Sequence, residues 1–189
     1  FGMHCGGLMN AHARPFLSLL SKLESLTFED QTEQIDIKRP VYICGLARSG
    51  TTIMLELLNK TGHFTTHRYK DYPFIDIPIL WNKWQDLFST DNPTHHERAH
   101  FDGIMITPDS PEAFEEMIWM RHFPQAHRPN HSNVMDNTIS AQTFEQAYTT
   151  HIKKLLWLRK KDRYLTKGNY NLTRISYLQK IFPDARFII

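Results

Sequence analysis

The sequence predicts an α/β fold in which a parallel β-sheet is flanked by helices. Residues 39–60 have the pattern of a buried strand, a glycine-bounded loop and a helix. Residues 163–189 have the pattern of a strand, a helix and a second strand. Two strands joined through a helix form a right-handed parallel unit, so the second stretch indicates a parallel sheet.

The composition indicates one domain of ordinary globular type. Hydrophobic residues make up 41% of the 189 positions and charged residues 22%, which is usual for a domain with a substantial core. We expect an N-terminal helical segment with its connector at 1–38 and an α/β domain at 39–189. The net charge of +2 gives no reason to expect a nucleic-acid partner.

The sequence contains no apolar run long enough to span a membrane and no visible signal peptide. Its two cysteines imply no disulfide framework, which is compatible with a reduced compartment. We therefore expect a cytoplasmic protein. Because the chain begins at Phe1 rather than Met, a Golgi-lumen location after loss of a targeting segment is the alternative.

The first predicted element is an amphipathic helix or helix pair at 8–28, and a polar connector follows at 29–38. We expect the apolar side of this helix to pack on the rest of the fold. That side consists of Phe16, Leu17, Leu19, Leu20, Leu23 and Leu26.

The central stretch predicts a strand, a loop and a helix that together make an anion site. The strand is the apolar run Val41–Cys44, which we expect to be buried on both faces. Gly45 and Gly50 bound the loop, and backbone N–H groups converge where the helix begins. Arg48 adds a full positive charge. The helix is predicted to be capped by Ser49, Thr51 or Thr52 and to have an apolar face of Ile53, Met54, Leu57 and Leu58.

The loop has the G-x-x-x-x-G spacing of a P-loop, but Thr51 stands where nucleotide triphosphatases need lysine. That lysine reaches the β and γ phosphates, so a site without it is poorly equipped for triphosphate chemistry. It can still hold a single phosphate, with Arg48 supplying the cation. A plain strand-to-helix turn with an incidental arginine is the alternative interpretation.

Residues 63–74 follow the loop helix and are rich in groups that take or guide a proton. His67 and Asp71 are the two candidates for that role. The alternative is a solvated, aromatic-rich loop.

Downstream, 75–88 predicts a helix after Pro78. Its aromatic and aliphatic side chains at helical spacing indicate core, and they are Trp81, Trp84, Leu87 and Phe88.

The middle of the chain contains the zinc-metalloprotease pattern His96-Glu97-x-x-His100, which we reject. Pro93 and Gly103 leave room for a helix of barely two turns, and no third ligand follows at a clear spacing. We expect no metal site.

A helix is predicted to open at 109–112, an irregular lid or acceptor-binding loop at 122–140, and a second helix at 144–158. The basic run at 159–161 is interpreted as solvent-exposed complementation of that helix dipole.

The last segment places a cation at the end of a strand. R-Y-L-T-K at 163–167 predicts a strand, 171–182 a helix, and A-R-F-I-I at 185–189 a second buried strand. Functional residues of parallel sheets lie at the carboxyl ends of strands. Lys167 occupies such an end.

The loop G-L-A-R-S-G-T-T and the later L-T-K-G-N-Y-N-L-T-R-I-S-Y-L-Q-K-I-F-P-D-A-R-F-I-I resemble sulfotransferases that use 3'-phosphoadenosine 5'-phosphosulfate. The segment D-S-P-E-A-F-E-E-M-I-W is similar to bacterial members. The resemblance extends with gaps over 39–189. It implies a P-loop-like α/β fold and transfer of a sulfuryl group to a hydroxyl or amine, without a metal.

The resemblance also implies roles for individual residues. Arg48 and the N–H groups of 49–52 (Ser49, Gly50, Thr51 and Thr52) would hold the 5'-phosphate of the donor, and Lys167 matches the catalytic lysine. In the family a glutamate or histidine beyond the loop helix serves as base. The matching glutamate is missing here, which leaves Asp71, by its position, ahead of His67. The family's 3'-phosphate residues would lie past Ile189, so we expect a domain truncated at its C-terminus and inactive alone.

Two other functions remain open at the level of sequence. One is a P-loop nucleotide phosphotransferase or hydrolase, which Thr51 disfavours. The other is a non-catalytic nucleotide-binding module that retains the fold. The acceptor, a small molecule or a carbohydrate, is not selected by any motif.

Overall fold

A computed structural model describes residues 14–88, 96–97 and 105–189. The α-helices are α1 (Arg14–Thr27), α2 (Glu29–Glu33), α3 (Thr51–Lys60), α4 (Pro78–Phe88), α5 (Glu116–His122), α6 (Gln142–Arg159) and α7 (Ile175–Ile181). The strands are β1 (Val41–Cys44), β2 (Phe64–Thr65), β3 (His96–Glu97), β4 (Met105–Ile106), β5 (Arg163–Gly168) and β6 (Arg186–Ile188). Short 3-10 helices cover Tyr69–Asp71, Pro124–His127 and Asn169–Thr173.

The main sheet has four parallel strands in the order β2, β5, β1, β6. This confirms the predicted α/β class with a parallel sheet between helices. All four residues of β1 are buried, as expected for a central strand covered on both faces. Parallel neighbours require crossovers, and helices α3, α6 and α7 lie in the connections between these strands.

A separate two-stranded antiparallel ribbon pairs β3 with β4. His96 and Glu97 therefore lie in a strand, whereas the zinc pattern requires both histidines on one helix. His100 lies outside the described residues. The strand assignment agrees with our rejection of a metalloprotease site.

The two faces of the main sheet are covered by different clusters. On one face Trp119, Phe144, Tyr148 and Tyr177 form a packed aromatic group with Tyr42 of β1. On the other face α3 lies over the sheet, and the cluster consists of Val41, Ile43, Leu55, Phe64 and Leu165. The aromatic side is the larger core, because α6 contributes a nearly continuous row of buried side chains to it.

Helix α3 has the predicted position but a different buried face. Leu55 is fully buried and Leu58 packs partly against the same cluster, while Ile53 and Leu57 are exposed. Of the predicted apolar face, Leu58 is therefore confirmed, and Ile53, Met54 and Leu57 are wrong. Leu55 and Leu58 are three residues apart and therefore lie about one helical turn from each other. They form a narrow stripe that contacts the sheet.

Two further predicted apolar faces are also largely exposed. In α1, Leu17 is buried, but the exposed members of the predicted side are Phe16, Leu19, Leu23 and Leu26. Besides Leu17, α1 buries a polar side chain: Glu24 pairs with Lys154 Nζ at 3.0 Å and accepts the Leu80 N–H at 2.7 Å. In α4, the predicted core positions Trp84, Leu87 and Phe88 are exposed, because Ile79 and Asn82 face inward.

The remaining elements differ from prediction mainly at their ends. The polar connector contains the short helix α2, and the helix expected at 171–182 is divided into a 3-10 turn and α7. Helix α6 confirms the prediction at 144–158. Among the described residues, no helix combines the length and apolarity needed to cross a bilayer.

Candidate functional site

The loop between β1 and α3 is tight because its first residue is glycine. A Cβ on Gly45 would lie 2.6 Å from Ser49 Oγ and 2.7 Å from Thr51 Cγ2, closer than side chains approach each other. At the other end, Gly50 has a φ of 84° and is the N-cap of α3. No side chain caps this helix, so the predicted capping by Ser49, Thr51 or Thr52 is wrong.

Arg48 lies at the exposed tip of this loop, with a φ of 70°. The loop is braced behind it by Ser49, whose hydroxyl and N–H both donate to the carbonyl of Leu46, at 2.7 and 3.2 Å. The first turn of α3 begins with Thr51 and Thr52, which are half-buried. First-turn N–H groups have no partner within their own helix and carry the positive end of its dipole. Arg48 and the first turn of α3 thus lie together in the loop region, and their use as an anion site stays a prediction.

Lys167 lies beside this loop. Strand β5 pairs with β1 so that Lys167 is opposite Ile43 and Gly168 is opposite Cys44, the residue immediately before the loop. The lysine side chain is 13% exposed, so it lies in a partly enclosed position. The structure thus brings Lys167 and the Gly45–Thr52 loop to the same carboxyl edge of the sheet.

A carboxylate that the sequence interpretation missed lies next to Lys167. Glu112 Oε1 is 3.6 Å from Lys167 Nζ, and the Glu112 side chain is 14% exposed. The sequence predicts a helix start at 109–112, but α5 begins only at Glu116.

Glu112 reaches the site because its segment pairs with the chain beyond β2. The Glu112 N–H donates to the carbonyl of His67 at 2.9 Å, and Arg68 forms a bridge with Pro111. The Tyr69 hydroxyl donates to Glu112 Oε2 at 2.6 Å. The local sequence, which predicts a helix start at 109–112, gives no signal for this pairing.

Asp71 is fully buried beneath this surface. Its carboxylate accepts hydrogen bonds from Arg159 Nη2 at 2.7 and 2.6 Å, from the Arg68 N–H at 2.7 Å and from Asn82 Nδ2 at 3.0 Å. Burial alone would raise the pKa of Asp71, but Arg159, His67 and these hydrogen bonds together lower it. A carboxylate held charged and enclosed in this way is poorly placed to take a proton from a substrate.

The basic run 159–161 at the end of α6 is not exposed throughout, because Arg159 is buried. Its side chain is only 5% exposed, whereas we predicted solvent exposure for the whole run 159–161. Besides Asp71, it bonds the carbonyl of Thr66 at 2.5 Å. The arginine therefore ties the end of α6 to the segment that follows β2.

His67 is also fully buried, and its ring stacks on that of His151 with 2.8 Å between their Nε2 atoms. One of these nitrogens must donate and the other accept, so at least the accepting ring is neutral. The pKa of His67 is lowered to about 4, because burial, together with the nearby Arg159, outweighs the opposing effect of Asp71. Burial likewise places the pKa of His151 well below its usual value.

The site residues named from the sequence therefore fall into two layers. Arg48, Lys167 and the residues 49–52 share the edge of the sheet. Asp71 and His67 lie in the buried layer beneath, where they contact Arg159 and His151. This arrangement argues against Asp71 and His67 as groups that touch a substrate and favours a supporting role for both.

Comparison with solved structures identifies two mycobacterial proteins of similar architecture. The crystal structure of sulfotransferase STF1 from Mycobacterium tuberculosis H37Rv matches with a TM-score of 0.57 and 20% identity, over 97% of this chain and 54% of that one. The crystal structure of sulfotransferase STF9 from Mycobacterium avium matches with a TM-score of 0.48 and 14% identity, over 87% of this chain and 46% of that one. The chain thus spans about half the length of each protein, and the similarity to STF1 shows a shared fold.

Sequence comparison gives a more specific result. No curated protein matches this chain significantly. A model of the sulfotransferase family, in contrast, matches residues 40–189. That range contains the loop at 45–52, Glu112 and Lys167, and it is most of the chain. The chain therefore belongs to the sulfotransferase family.

Proposed function

We propose that the full-length protein transfers a sulfuryl group from 3'-phosphoadenosine 5'-phosphosulfate to a hydroxyl or amine of a small molecule or carbohydrate. The observation that carries this proposal is the adjacency of Lys167 and the Gly45–Thr52 loop at one edge of the sheet. Sulfuryl transfer needs in-line geometry and stabilisation of the charge that develops on the leaving phosphate oxygen. A phosphate cradle beside a second cation meets the second of these needs.

The loop residues fit the 5'-phosphate of the donor. Glycine at position 45 keeps the turn narrow, since a side chain there would meet Ser49 and Thr51. Arg48 supplies the charge, and Gly50, Thr51 and Thr52 present the N–H groups at the start of α3. Ser49 braces the loop through its two bonds to Leu46. A charge-assisted contact of this kind contributes about 1 to 3 kcal/mol.

Lys167 neutralises the bridging oxygen as it leaves the sulfur. Strand β5 fixes the backbone of Lys167. The ion pair with Glu112 holds the ammonium group at the edge of the sheet. Fixed cations suffice for this reaction, because the developing charge is a single phosphate anion. The buried contacts of Asp71 and His67 fix the position of the segment that carries Tyr69, and Tyr69 bonds Glu112.

The proposal is tested by incubating the full-length protein with sulfur-labelled 3'-phosphoadenosine 5'-phosphosulfate and a panel of sugars, alcohols and phenols. We expect label in at least one acceptor and no magnesium-dependent cleavage of ATP. Binding of adenosine 3',5'-bisphosphate without transfer to any acceptor would favour a non-catalytic module. ATP cleavage that depends on magnesium would instead favour a nucleotide hydrolase.

A further inference from the structure

We propose that Glu112 is the catalytic base that takes the proton from the acceptor, an inference that rests on the sulfuryl transfer proposed above. A neutral hydroxyl or amine that attacks sulfur must lose a proton, and a positioned carboxylate can accept it. Glu112 lies 3.6 Å from Lys167 Nζ, the cation assigned to the leaving oxygen. Base and cation thus stand together at the same edge of the sheet.

The carboxylate of Glu112 is held in one orientation. Oε2 accepts the Tyr69 hydroxyl at 2.6 Å, and Oε1 accepts the N–H of Ala113 at 2.7 Å. These two bonds fix the position of a carboxylate group that can accept a proton. The distance of 3.6 Å to Lys167 is longer than a hydrogen bond, so the two groups attract each other without a tight direct bond.

Glu112 is partly accessible and contacts Lys167, whereas Glu115, Glu116 and Asp71 are held by other partners. Glu115 is buried between the Trp119 indole N–H at 2.8 Å and the Tyr164 hydroxyl at 2.7 Å. Glu116 is held by both Nη atoms of Arg174, at 2.8 and 2.7 Å. Asp71 is enclosed by Arg159. Glu112, at 14% exposure, combines partial access with contact to Lys167.

The step balances without a further reactant. The acceptor oxygen forms a bond to sulfur while its proton moves to a Glu112 oxygen. The bond between sulfur and the bridging oxygen breaks, and its electron pair goes to the 5'-phosphate, where Lys167 neutralises the added charge. The protonated Glu112 then returns its proton to water. Sulfated acceptor and adenosine 3',5'-bisphosphate are the products.

The test measures formation of adenosine 3',5'-bisphosphate from the donor by an excess of full-length protein, with water and small alcohols as acceptors. We expect Glu112→Gln to slow the reaction by about 100-fold or more, with the affinity for adenosine 3',5'-bisphosphate measured by calorimetry within about threefold of wild type. In Glu112→Ala, added formate should restore part of the rate, because it replaces the missing carboxylate. Tyr69→Phe keeps the carboxylate and should lose less than Glu112→Gln, and Glu33→Gln, at an exposed position, serves as the charge-matched control.

The outcomes separate this inference from the proposed function. A Glu112→Gln rate within about threefold of wild type would overturn the role of Glu112 and leave sulfuryl transfer intact. Loss of rate in Glu112→Ala without any formate rescue would also overturn it, since that indicates a structural role. Wild-type protein that binds the product nucleotide but never cleaves the donor contradicts it too. Absence of nucleotide binding in wild type would defeat the proposed function itself.

Discussion

Arg159 and Asp71 form a buried ion pair that joins the end of α6 to the segment after β2. Arg159 Nη2 lies 2.7 Å from Oδ1 and 2.6 Å from Oδ2 of the aspartate. The aspartate has no exposed surface and the arginine side chain is 5% exposed. This pair fixes the 3-10 turn that ends at Asp71 and begins at Tyr69, the residue that bonds Glu112.

Removal of one partner of this pair should destabilise the fold. Asp71→Ala leaves a buried guanidinium without its carboxylate, and we expect a loss of about 3 to 5 kcal/mol in the free energy of unfolding. Urea denaturation of the full-length protein, followed by far-UV circular dichroism, measures this change.

A double variant separates charge burial from packing. Asp71→Asn combined with Arg159→Met removes both charges and retains an acceptor for the Arg68 N–H. We expect it to lose less stability than Asp71→Ala alone. A stable Asp71→Ala protein whose only defect is slow sulfuryl transfer would contradict the supporting role and restore Asp71 as a candidate base.

Substitution of Gly45 should impair the phosphate loop. The new Cβ in Gly45→Ala would lie 2.6 Å from Ser49 Oγ and 2.7 Å from Thr51 Cγ2, so the loop must shift. We expect the affinity for adenosine 3',5'-bisphosphate, measured by calorimetry, to fall by about 1 to 3 kcal/mol. Adding Ser49→Ala and Thr51→Ser to this variant removes both clashing atoms. The matched control carries Ser49→Ala and Thr51→Ser but keeps Gly45, and the two proteins should bind equally well. A clearly weaker affinity when Gly45→Ala is present in that background would show that crowding against these two atoms is not the cause.

The stability of the protein should fall in mild acid because of the buried histidine pair. The pKa of His67 is lowered from 6.5 to about 4, so the folded state favours the neutral ring. Between these values the unfolded state binds more protons, and the stability that is complete above pH 6.5 is lost as the pH falls toward 4. One such histidine contributes a slope of about 1.4 kcal/mol per pH unit.

His151 acts in the same direction, since burial lowers its pKa as well. Urea denaturation at a series of pH values measures the slope, and His67→Gln should reduce it. An unchanged slope in that variant would show that the acid sensitivity arises elsewhere.

Local patterns in the sequence were sufficient to predict the architecture around the loop. The apolar run Val41–Cys44, the glycines at 45 and 50 and the strand ending at Lys167 are each contained in a few consecutive residues. Parallel pairing of strands then places their carboxyl ends at one edge. These local patterns and the parallel pairing together predict that Lys167 lies next to the loop.

The rest of the site depends on contacts that no local pattern specifies. Glu112 reaches Lys167 because its segment pairs with residues about 45 positions earlier, as the Glu112–His67 bond shows. Arg159 has the sequence context of an exposed helix end, yet a buried carboxylate 88 positions away holds it inside. The exposed leucines of α1 and α3 are a further example. Helical spacing predicts that apolar side chains share one face, but it does not predict whether another element covers that face.

The central claim is that the Gly45–Thr52 loop holds the 5'-phosphate of the donor through Arg48. Calorimetric titration of the full-length protein with adenosine 3',5'-bisphosphate tests it most directly, using Arg48→Ala and, as the charge-matched control, Arg128→Ala at another exposed arginine. We predict that Arg48→Ala weakens binding by about 1 to 3 kcal/mol and that Arg128→Ala matches wild type. Equal affinities in wild type and Arg48→Ala, or no binding by wild type, would contradict the claim.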